Sequence, residues 1–436
     1  MIISDPLRAF AEKLPSGWRL LPFEAMLAEP VRNGIYKTKE FHGRGARVVN
    51  MGELFGFDFI SGQEMKRVEL TADEEKKSCL TDGDLLFARR SLVLEGAGKC
   101  SLVVNPPETI TFESSIVRAR PNRRVAEPRF LFYLFSSPLG RAIVASIATR
   151  TAVSGIRGSD LSQVGLPLPP LSVQRQIAGI LSAYDELTDN CQRRIQILEA
   201  MARTLYREWF VHFRFPGHKK LPRVASPLGD IPQGWQVKRV PDCVEINPRI
   251  VVPRDGEKPF VPMGCLVDNS MLITDIESRN GNSGAKFQNG DTLFARITPC
   301  LENGKTGFVQ FLPDAQAVAC GSTEFIVLRS RTLTPEFVYL LARTDEFRGN
   351  AIKSMSGASG RQRVQESCFD DFKIAHPPRT LLDRFSAIVA PSFRMIQKLN
   401  LQIQNLRQTR DLLLPRLLAG PWDLQSSAEI AVHTRT

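Results

Sequence analysis

The residues able to carry chemistry are scattered along the chain and form no recognisable catalytic set. The five histidines are dispersed, with no HExxH pair and no Cys/His cluster at the spacing of a zinc site. The eight cysteines contain no CxxC, and their irregular spacing is typical of reduced thiols in a cytoplasmic protein. The sequence therefore favours recognition over catalysis, and we expect no catalytic residue, metal or cofactor in this chain.

Two short motifs suggest nucleotide or methyl-transfer chemistry, and the sequence argues against both. Gly304-Lys305-Thr306 resembles the end of a phosphate-binding loop, but Pro299 stands where that loop needs its first glycine. Asn105-Pro106-Pro107 resembles the start of the tetrad of adenine-N6 methyltransferases, but Glu108 replaces the ring that would stack on a flipped base. We predict a Gly-Lys hairpin turn at the first site and a turn between strands at the second.

The charge balance favours a polyanionic partner. The chain has 57 basic and 46 acidic side chains, a net charge of +11 and a pI near 9.4. Such an excess points to nucleic acid before membrane, although a basic protein without such a partner remains an alternative. The sequence contains no run of eighteen apolar residues, so we expect no membrane span. The N-terminus lacks the apolar core of a secretory signal.

The chain consists of two copies of one unit. LPSGW at 14–18 is matched by IPQGW at 231–235, and GDLLFAR at 83–89 by GDTLFAR at 290–296. Further matches follow in the same order, ending with SGIRG at 154–158 against SGRQR at 359–363. Ordered matches at a nearly constant separation indicate an internal repeat, with a globular domain and a long helix in each copy.

Each copy ends in a predicted long amphipathic helix that follows a Pro-Pro pair. The first runs to Phe213 with Ser172 as the expected N-cap. The second runs from about Thr380, which has the spacing of a capping box with Asp383, to Leu418. A helix of about forty residues spans roughly 60 Å, which is too long to bury in one domain. We therefore predict an antiparallel pair, with two unrelated helices as the alternative. The apolar stripes comprise Ile177, Ile180, Tyr184, Leu187, Ile195 and Leu198 in the first helix, and Phe385, Ile388, Ile396, Leu399, Ile403 and Leu406 in the second.

Short runs of Val, Ile and Phe predict strands in each globular half, so the predicted fold class is α+β, with two pseudo-repeated domains joined by two long antiparallel, coiled-coil-like helices. The expected boundaries are a first globular domain at 1–168, a central helix at 169–213, a linker and second globular domain at 214–376, a distal helix at 377–419 and a disordered tail at 420–436.

Taken together, these landmarks resemble the specificity (S) subunit of type I restriction-modification systems. The resemblance rests on PSGW and PQGW, the paired GDLLFAR and GDTLFAR, the SG loops and the two Pro-Pro helices, and it covers roughly residues 14–418. One departure is that the distal PPRTLLDRFSAI lacks the Gln-Arg-Gln of the first helix.

The resemblance implies a non-catalytic reader of double-stranded DNA. Each globular half would be a target recognition domain for one half of an asymmetric bipartite site. The helices would set the spacer, and the residues of their apolar stripes would dock two methylation subunits, which carry S-adenosylmethionine. Restriction subunits, which use ATP and Mg²⁺, would join the same complex.

Candidate DNA contacts lie in matched loops of the two halves, because Lys and Arg contact phosphates while Arg, Thr and Gln also read base edges. They are Arg89, Arg90, Lys99, Arg150 and Arg157 in the first half, and Arg296, Thr298, Lys305, Lys353, Arg361, Gln362 and Arg363 in the second. For Arg89 and Arg296 a structural ion pair is an alternative. For the whole chain, the alternatives are a fused methyltransferase and a coiled-coil adaptor that does not bind DNA.

Overall fold

The computed structural model describes residues 1–4, 7–8, 12, 14–91, 96–149, 154–357, 360 and 362–419. The chain divides into two compact units. The first contains Met1–Leu187 and the chain from Leu406 onward, and the second contains Thr188–Asn405. The predicted tail at 420–436 lies outside the described residues.

The first unit is built on a five-stranded sheet with the strand order β2-β10-β6-β8-β4, beside a three-stranded sheet β5-β3-β9 and the pairs β1-β12 and β7-β11. Its strands are β1 (Arg19–Pro22), β2 (Leu27–Asn33), β3 (His42–Val49), β4 (Phe59–Ile60), β5 (Lys66–Val68), β6 (Leu85–Ala88), β7 (Arg90–Ser91), β8 (Cys100–Val103), β9 (Ile110–Phe112), β10 (Ile116–Pro121), β11 (Ser154–Gly155) and β12 (Gly165–Leu168). Its helices are α1 (Met51–Gly56), α2 (Ala72–Ser78), α3 (Pro128–Ser136), α4 (Pro138–Ser146) and α5 (Gly158–Gln163), followed by the start of α6 (Leu171–Tyr206).

The second unit contains the four-stranded sheets β16-β23-β20-β21 and β18-β17-β22-β19, with the pairs β13-β14 and β15-β24. Its strands are β13 (Arg223–Val224), β14 (Ile231–Pro232), β15 (Gln236–Arg239), β16 (Val244–Ile246), β17 (Glu257–Val261), β18 (Glu277–Asn280), β19 (Ala285–Phe287), β20 (Thr292–Ala295), β21 (Thr306–Phe308), β22 (Ala319–Gly321), β23 (Phe325–Ser330) and β24 (Lys373–His376). Its helices are α7 (Val240–Cys243), α8 (Pro335–Ala342) and α9 (Asp345–Lys353), and α10 (Arg379–Ala419) ends the described chain.

The two units repeat one topology, as the sequence predicts. The order β2-β10-β6-β8 recurs as β16-β23-β20-β21, and β1-β12 recurs as β15-β24. The sheets that contain β3 and β17 also correspond in one pairing, because β3 pairs parallel with β9 and β17 pairs parallel with β22. The predicted α+β pseudo-repeat is therefore confirmed at the level of strand pairing.

The conserved spacing of the GDxLFAR motif within the repeat has a structural cause. Gly83 and Gly290 have φ of +92° and +90°, a left-handed conformation that glycine adopts without strain. The next residue in each copy is a buried aspartate. Asp84 accepts hydrogen bonds from Nε and Nη2 of Arg120 at 2.7 and 2.8 Å. Asp291 accepts the equivalent pair from Arg329 at 2.8 and 2.7 Å.

The long helices begin slightly earlier than their predicted caps. The carbonyl of Pro170 accepts from the Gln174 amide at 3.0 Å, and Pro378 accepts from Leu382 at 3.2 Å. A residue whose carbonyl accepts the first intrahelical bond is the N-cap, so Ser172 and Thr380 lie inside their first turns rather than capping them. The first helix is α-helical to Tyr206 and continues as a π-helical turn, Arg207–Val211.

The helices pair antiparallel, and the pairing is visible within each unit. In the first unit, Ile177 near the start of α6 shares a core with Leu417 near the end of α10, and Arg410 bonds Asp185 at 2.5 Å. In the second unit, Ile195 in the later part of α6 shares a core with Ile396, which precedes Leu417 on α10. The start of one helix thus lies with the end of the other.

Candidate nucleic-acid interface

Three predicted arginines converge at one end of the main sheet in the first unit. Arg89 follows β6, and its amide donates to the Ser115 carbonyl at 2.8 Å while its own carbonyl accepts from Ile156 at 3.0 Å. Arg90 pairs with Gly155 in the β7-β11 ribbon, which places Arg157 two residues further along. Arg90 and Arg157 are exposed, and neither forms an ion pair within the described part of the chain.

The corresponding sheet end of the second unit carries a carboxylate. The amide of Arg296 donates to the Glu324 carbonyl at 3.0 Å, and the Arg296 carbonyl accepts from Val364 at 2.8 Å, as in the first unit. Glu324 occupies the place of Ser115. Its carboxylate bonds Nε of Arg363 at 3.0 Å and also Nη2 of the same side chain, while Nε of Arg296 lies 3.9 Å away. The ion-pair alternative for Arg296 therefore applies, whereas the Arg89 side chain has, within the described part of the chain, a 3.5 Å contact to the Ser114 carbonyl and no ion pair.

The backbone pairing corrects the alignment of the two SG loops. The sequence matches Ser154 with Ser359, but in the structure Gly155 and Arg363 occupy equivalent positions, paired with Arg90 and Ile297 respectively. Gly155 forms a bridge to Thr149, and Arg363 forms the equivalent bridge to Ser356. The counterpart of Arg157 is therefore Gln365 rather than Gln362. Backbone pairing with the sheet end determines which loop residues correspond, so matching the repeated Ser-Gly dipeptide gives the wrong alignment.

The two predicted lysines of the Gly-Lys turns occupy equivalent places, and both contact carboxylates. Gly98 and Gly304 have φ of +70° and +69°, which confirms the predicted turns. Nζ of Lys99 lies 2.7 Å from Oδ1 of Asp58. Nζ of Lys305 lies 3.7 Å from Asp268 and 3.4 Å from the Met263 carbonyl. These side chains are half-buried, so their charge is partly engaged within the unit.

The remaining candidates differ in how exposed they are. The Thr298 amide donates to the Gln362 carbonyl and the Gln362 amide donates to Thr298 Oγ1, both at 3.1 Å, so the threonine hydroxyl fastens a loop. Lys353 is exposed at the end of α9. Arg150 and Arg361 lie outside the described residues.

Sequence reasoning missed Glu324 and Tyr36. Glu324 could have been found by aligning the paired strands of the two units, because it occupies the position that Ser115 has in the first unit. Tyr36 is 81% exposed in the first unit. It follows Ile35, whose amide donates to the Phe112 carbonyl near the sheet end that carries Arg89. The preceding Gly34 is obligatory here, because a Cβ would stand 2.2 Å from two backbone oxygens.

The Asn-Pro-Pro segment is a turn, as predicted. Asn105 has φ of +41°, and its amide donates to Asp82 at 2.8 Å. Glu108 bonds Arg67 at 2.8 and 3.0 Å and lies 2.6 Å from Nε of Arg47. The side-chain hydrogen bond from Arg67 is the main cause that lowers the pKa of Glu108. Glu108, which stands where the methyltransferase motif has its aromatic ring, thus links strands β3 and β5.

The apolar stripes of the long helices mostly build the cores of the units, which corrects their assignment as a docking surface. Side chains in a core cannot also meet a partner. The buried members are Ile177, Ile195, Phe385, Ile396, Leu399 and Ile403, and the partly buried ones are Ile180, Tyr184, Leu198 and Leu406. Only Leu187 and Ile388 of the predicted set are exposed, at 50% and 53%.

Other apolar side chains on the same helices face outward. In the first unit Leu412 is 62% exposed. In the second unit the exposed set is Ile197, Met201, Met395 and Leu401, at 58%, 61%, 40% and 48%. Large apolar side chains left uncovered on a helix are suited to a protein partner.

The described residues contain no group of three or more His, Cys, Asp or Glu side chains placed to hold a metal ion. Nor does any helix in that part of the chain combine the length and apolar character needed to cross a bilayer.

Known proteins that are similar to this chain include several type I restriction enzyme specificity subunits. The family model described as Type I restriction modification DNA specificity domain matches residues 32–200. The MjaIX specificity subunit of Methanocaldococcus jannaschii is 24% identical, over 88% of this chain and 88% of that protein. The EcoEI specificity subunit of Escherichia coli is 29% identical, over 46% of this chain and 35% of its own length.

A solved structure supports the same fold. The crystal structure of a type I restriction-modification S subunit from M. genitalium matches with a TM-score of 0.53 and 13% identity, covering 93% of this chain and 96% of that one. The comparisons therefore confirm the resemblance to type I restriction-modification specificity subunits that the repeated landmarks indicate.

Proposed function

We propose that this chain is the DNA-reading specificity subunit of a type I restriction-modification complex, and that each unit reads one half of a bipartite site. The observation that carries the proposal is the duplicated unit. Both copies share strand order, yet their sheet ends differ, with Ser115 and Gly155 in one and Glu324 and Arg363 in the other. Similar readers with different side chains suit two different half-sites.

In this proposal the chain itself performs no catalysis. Two methylation subunits with S-adenosylmethionine, and restriction subunits with ATP and Mg²⁺, supply the chemistry of the complex. The methylation subunits would dock on the outward apolar side chains of α6 and α10, such as Met201 and Leu412. The continuous helices would set the number of unread base pairs between the half-sites. The complex would act in the cytoplasm, where free thiols like the eight found here persist.

Arg90 and Arg157 would contribute phosphate contacts in the first unit, because both are exposed cations without an ion-pair partner in the described residues. Each phosphate contact releases condensed counterions, so affinity falls steeply with salt. The test is the salt dependence of DNA binding by the chain assembled with its methylation subunits. Replacing both arginines by alanine should weaken binding across sequences and reduce the log–log salt slope by about 1 per lost contact.

Arg124 provides a matched control. It is also exposed, but it follows the opposite end of β10. Arg124→Ala should leave the salt slope unchanged. Equal slopes for the double variant and the wild type would exclude Arg90 and Arg157 from the interface. An assembled complex that binds no DNA at low salt would contradict the proposed function and favour the adaptor, an alternative that the comparisons do not support.

A further inference from the structure

Among the described residues Glu324 contacts only one side of the Arg363 guanidinium group, which leaves a pair of donors on the other side without a partner there. The carboxylate of Glu324 accepts from Nε at 3.0 Å and from Nη2. This contact uses one of the two Nη2 hydrogens and none of those on Nη1. The remaining edge, formed by Nη1 and Nη2, has two parallel donors.

The free edge is accessible and its position is fixed. The Arg363 side chain is 53% exposed, whereas the Glu324 side chain that holds it is only 19% exposed. The backbone of Arg363 bridges Ile297 on one side and Ser356 on the other, with hydrogen bonds of 2.9 and 3.1 Å to Ser356. Nε of Arg296 lies 3.9 Å from the same carboxylate and adds a second cation beside it. The Arg363 side chain therefore loses little conformational entropy when its Nη1 and Nη2 atoms bind a ligand.

We propose that Arg363, positioned by Glu324, forms a binding site for a guanine in the half-site read by the second unit. The inference rests on the proposed function. In the major groove guanine presents two adjacent acceptors, O6 and N7, and a bidentate arginine is the commonest specific contact to them. Adenine offers an acceptor and a donor in the same places, so an arginine fork discriminates against it.

The first unit lacks this site. Gly155 stands in the position of Arg363 and Ser115 in that of Glu324, so neither the fork nor its carboxylate support is present. The requirement for a guanine contacted in this way therefore belongs to one half-site only.

The test uses the full chain assembled with its methylation subunits, on the duplex that the complex methylates. Each guanine of the half-site is replaced in turn by 7-deazaguanine, which lacks the N7 acceptor. For the wild type, one replacement should weaken binding by about 5-fold or more, the lower end of the range of a bidentate contact, because O6 still accepts. Arg363→Ala should weaken binding to the unmodified duplex at least as much and abolish the difference between guanine and 7-deazaguanine at that position alone.

Glu324→Gln separates positioning from a purely structural role. It should reduce discrimination at the same guanine while the complex assembles normally and keeps its preference at the other half-site. Arg331→Ala is the matched control, because Arg331 is exposed beyond the opposite end of β23 and should change nothing. The inference is overturned if wild type and Arg363→Ala are equally sensitive to every 7-deazaguanine, or if that half-site has no guanine. A complex without any specific site would instead overturn the proposed function.

Discussion

Neutralising Asp84 should destabilise the first unit and leave the second unit intact. Asp84 is fully buried and accepts from Arg120 Nε, from Arg120 Nη2 and from the Thr81 amide, all within 2.8 Å. In Asp84→Asn one oxygen becomes an NH₂ group that faces a donor, so at least one bond is lost and two donors oppose each other. Removing one partner of a buried pair costs about 3–5 kcal/mol.

The surroundings of Arg120 place the expected cost near the lower end of that range. Its side chain is 28% exposed, and it keeps contacts to Glu29 at 2.9 Å and to the Cys79 carbonyl at 3.1 Å. The guanidinium therefore retains part of its solvation and hydrogen bonding in the variant. We expect a loss of about 3 kcal/mol, which corresponds to roughly a hundredfold change in the opening equilibrium of the unit.

Hydrogen exchange measured by mass spectrometry resolves the two units separately. In Asp84→Asn, peptides covering β6 and β10 should exchange about a hundredfold faster, while peptides covering β20 and β23 keep their wild-type rates. Asp291→Asn should give the reverse pattern, because Asp291 bonds Arg329 in the same way.

Asp82→Asn is the control for the Asp84 variant. Asp82 pairs with Arg123, but both side chains are about half exposed, so an effect below about 1 kcal/mol is expected. Wild-type exchange in Asp84→Asn would refute the assigned role of the buried pair. Equal acceleration in both units would refute the division into separately stable units.

Two further predictions concern the second unit. Glu199, 7% exposed on α6, accepts from Ser270 Oγ at 2.6 Å and from the buried Met271 amide at 2.8 Å. Glu199→Ala should cost about 1–3 kcal/mol and speed exchange around Met271, and unchanged rates there would refute this anchoring role. Burial raises the pKa of Cys368 to about 11, so at pH 8 its thiolate is a very small fraction. Native alkylation should therefore be far slower than in the denatured chain and rise about tenfold per pH unit toward that pKa; equal native and denatured rates at pH 8 would contradict it.

The sequence predicts the repeat, the strands and the helix pair well because these depend on periodic patterns. Ordered matches around GDLLFAR and GDTLFAR identify two copies, and helical periodicity identifies α6 and α10. The matched motifs are conserved between the copies for folding reasons, as the buried Asp84 and Asp291 show.

The candidate interface could be predicted only in part. Arg90 and Arg157 lie at one sheet end, as their loops suggest, but the alignment of Arg363 with Gly155 follows from backbone bridges. The support given by Glu324 depends on a contact between residues 39 positions apart, which no local pattern encodes. Periodicity identifies an apolar helix face without identifying what covers it, so the stripes alone predict a docking surface although most of their side chains lie in the cores.

The most direct test of the central claim is a genome-wide map of adenine methylation, made by single-molecule sequencing in a host that expresses the methylation subunit with or without this chain. If each unit reads one half-site, the map should show one new bipartite motif that depends on this chain, with two different short half-sites and a fixed gap. Methylation that stays unchanged despite a verified complex, or a motif without two half-sites, would contradict the assignment of one half-site to each unit.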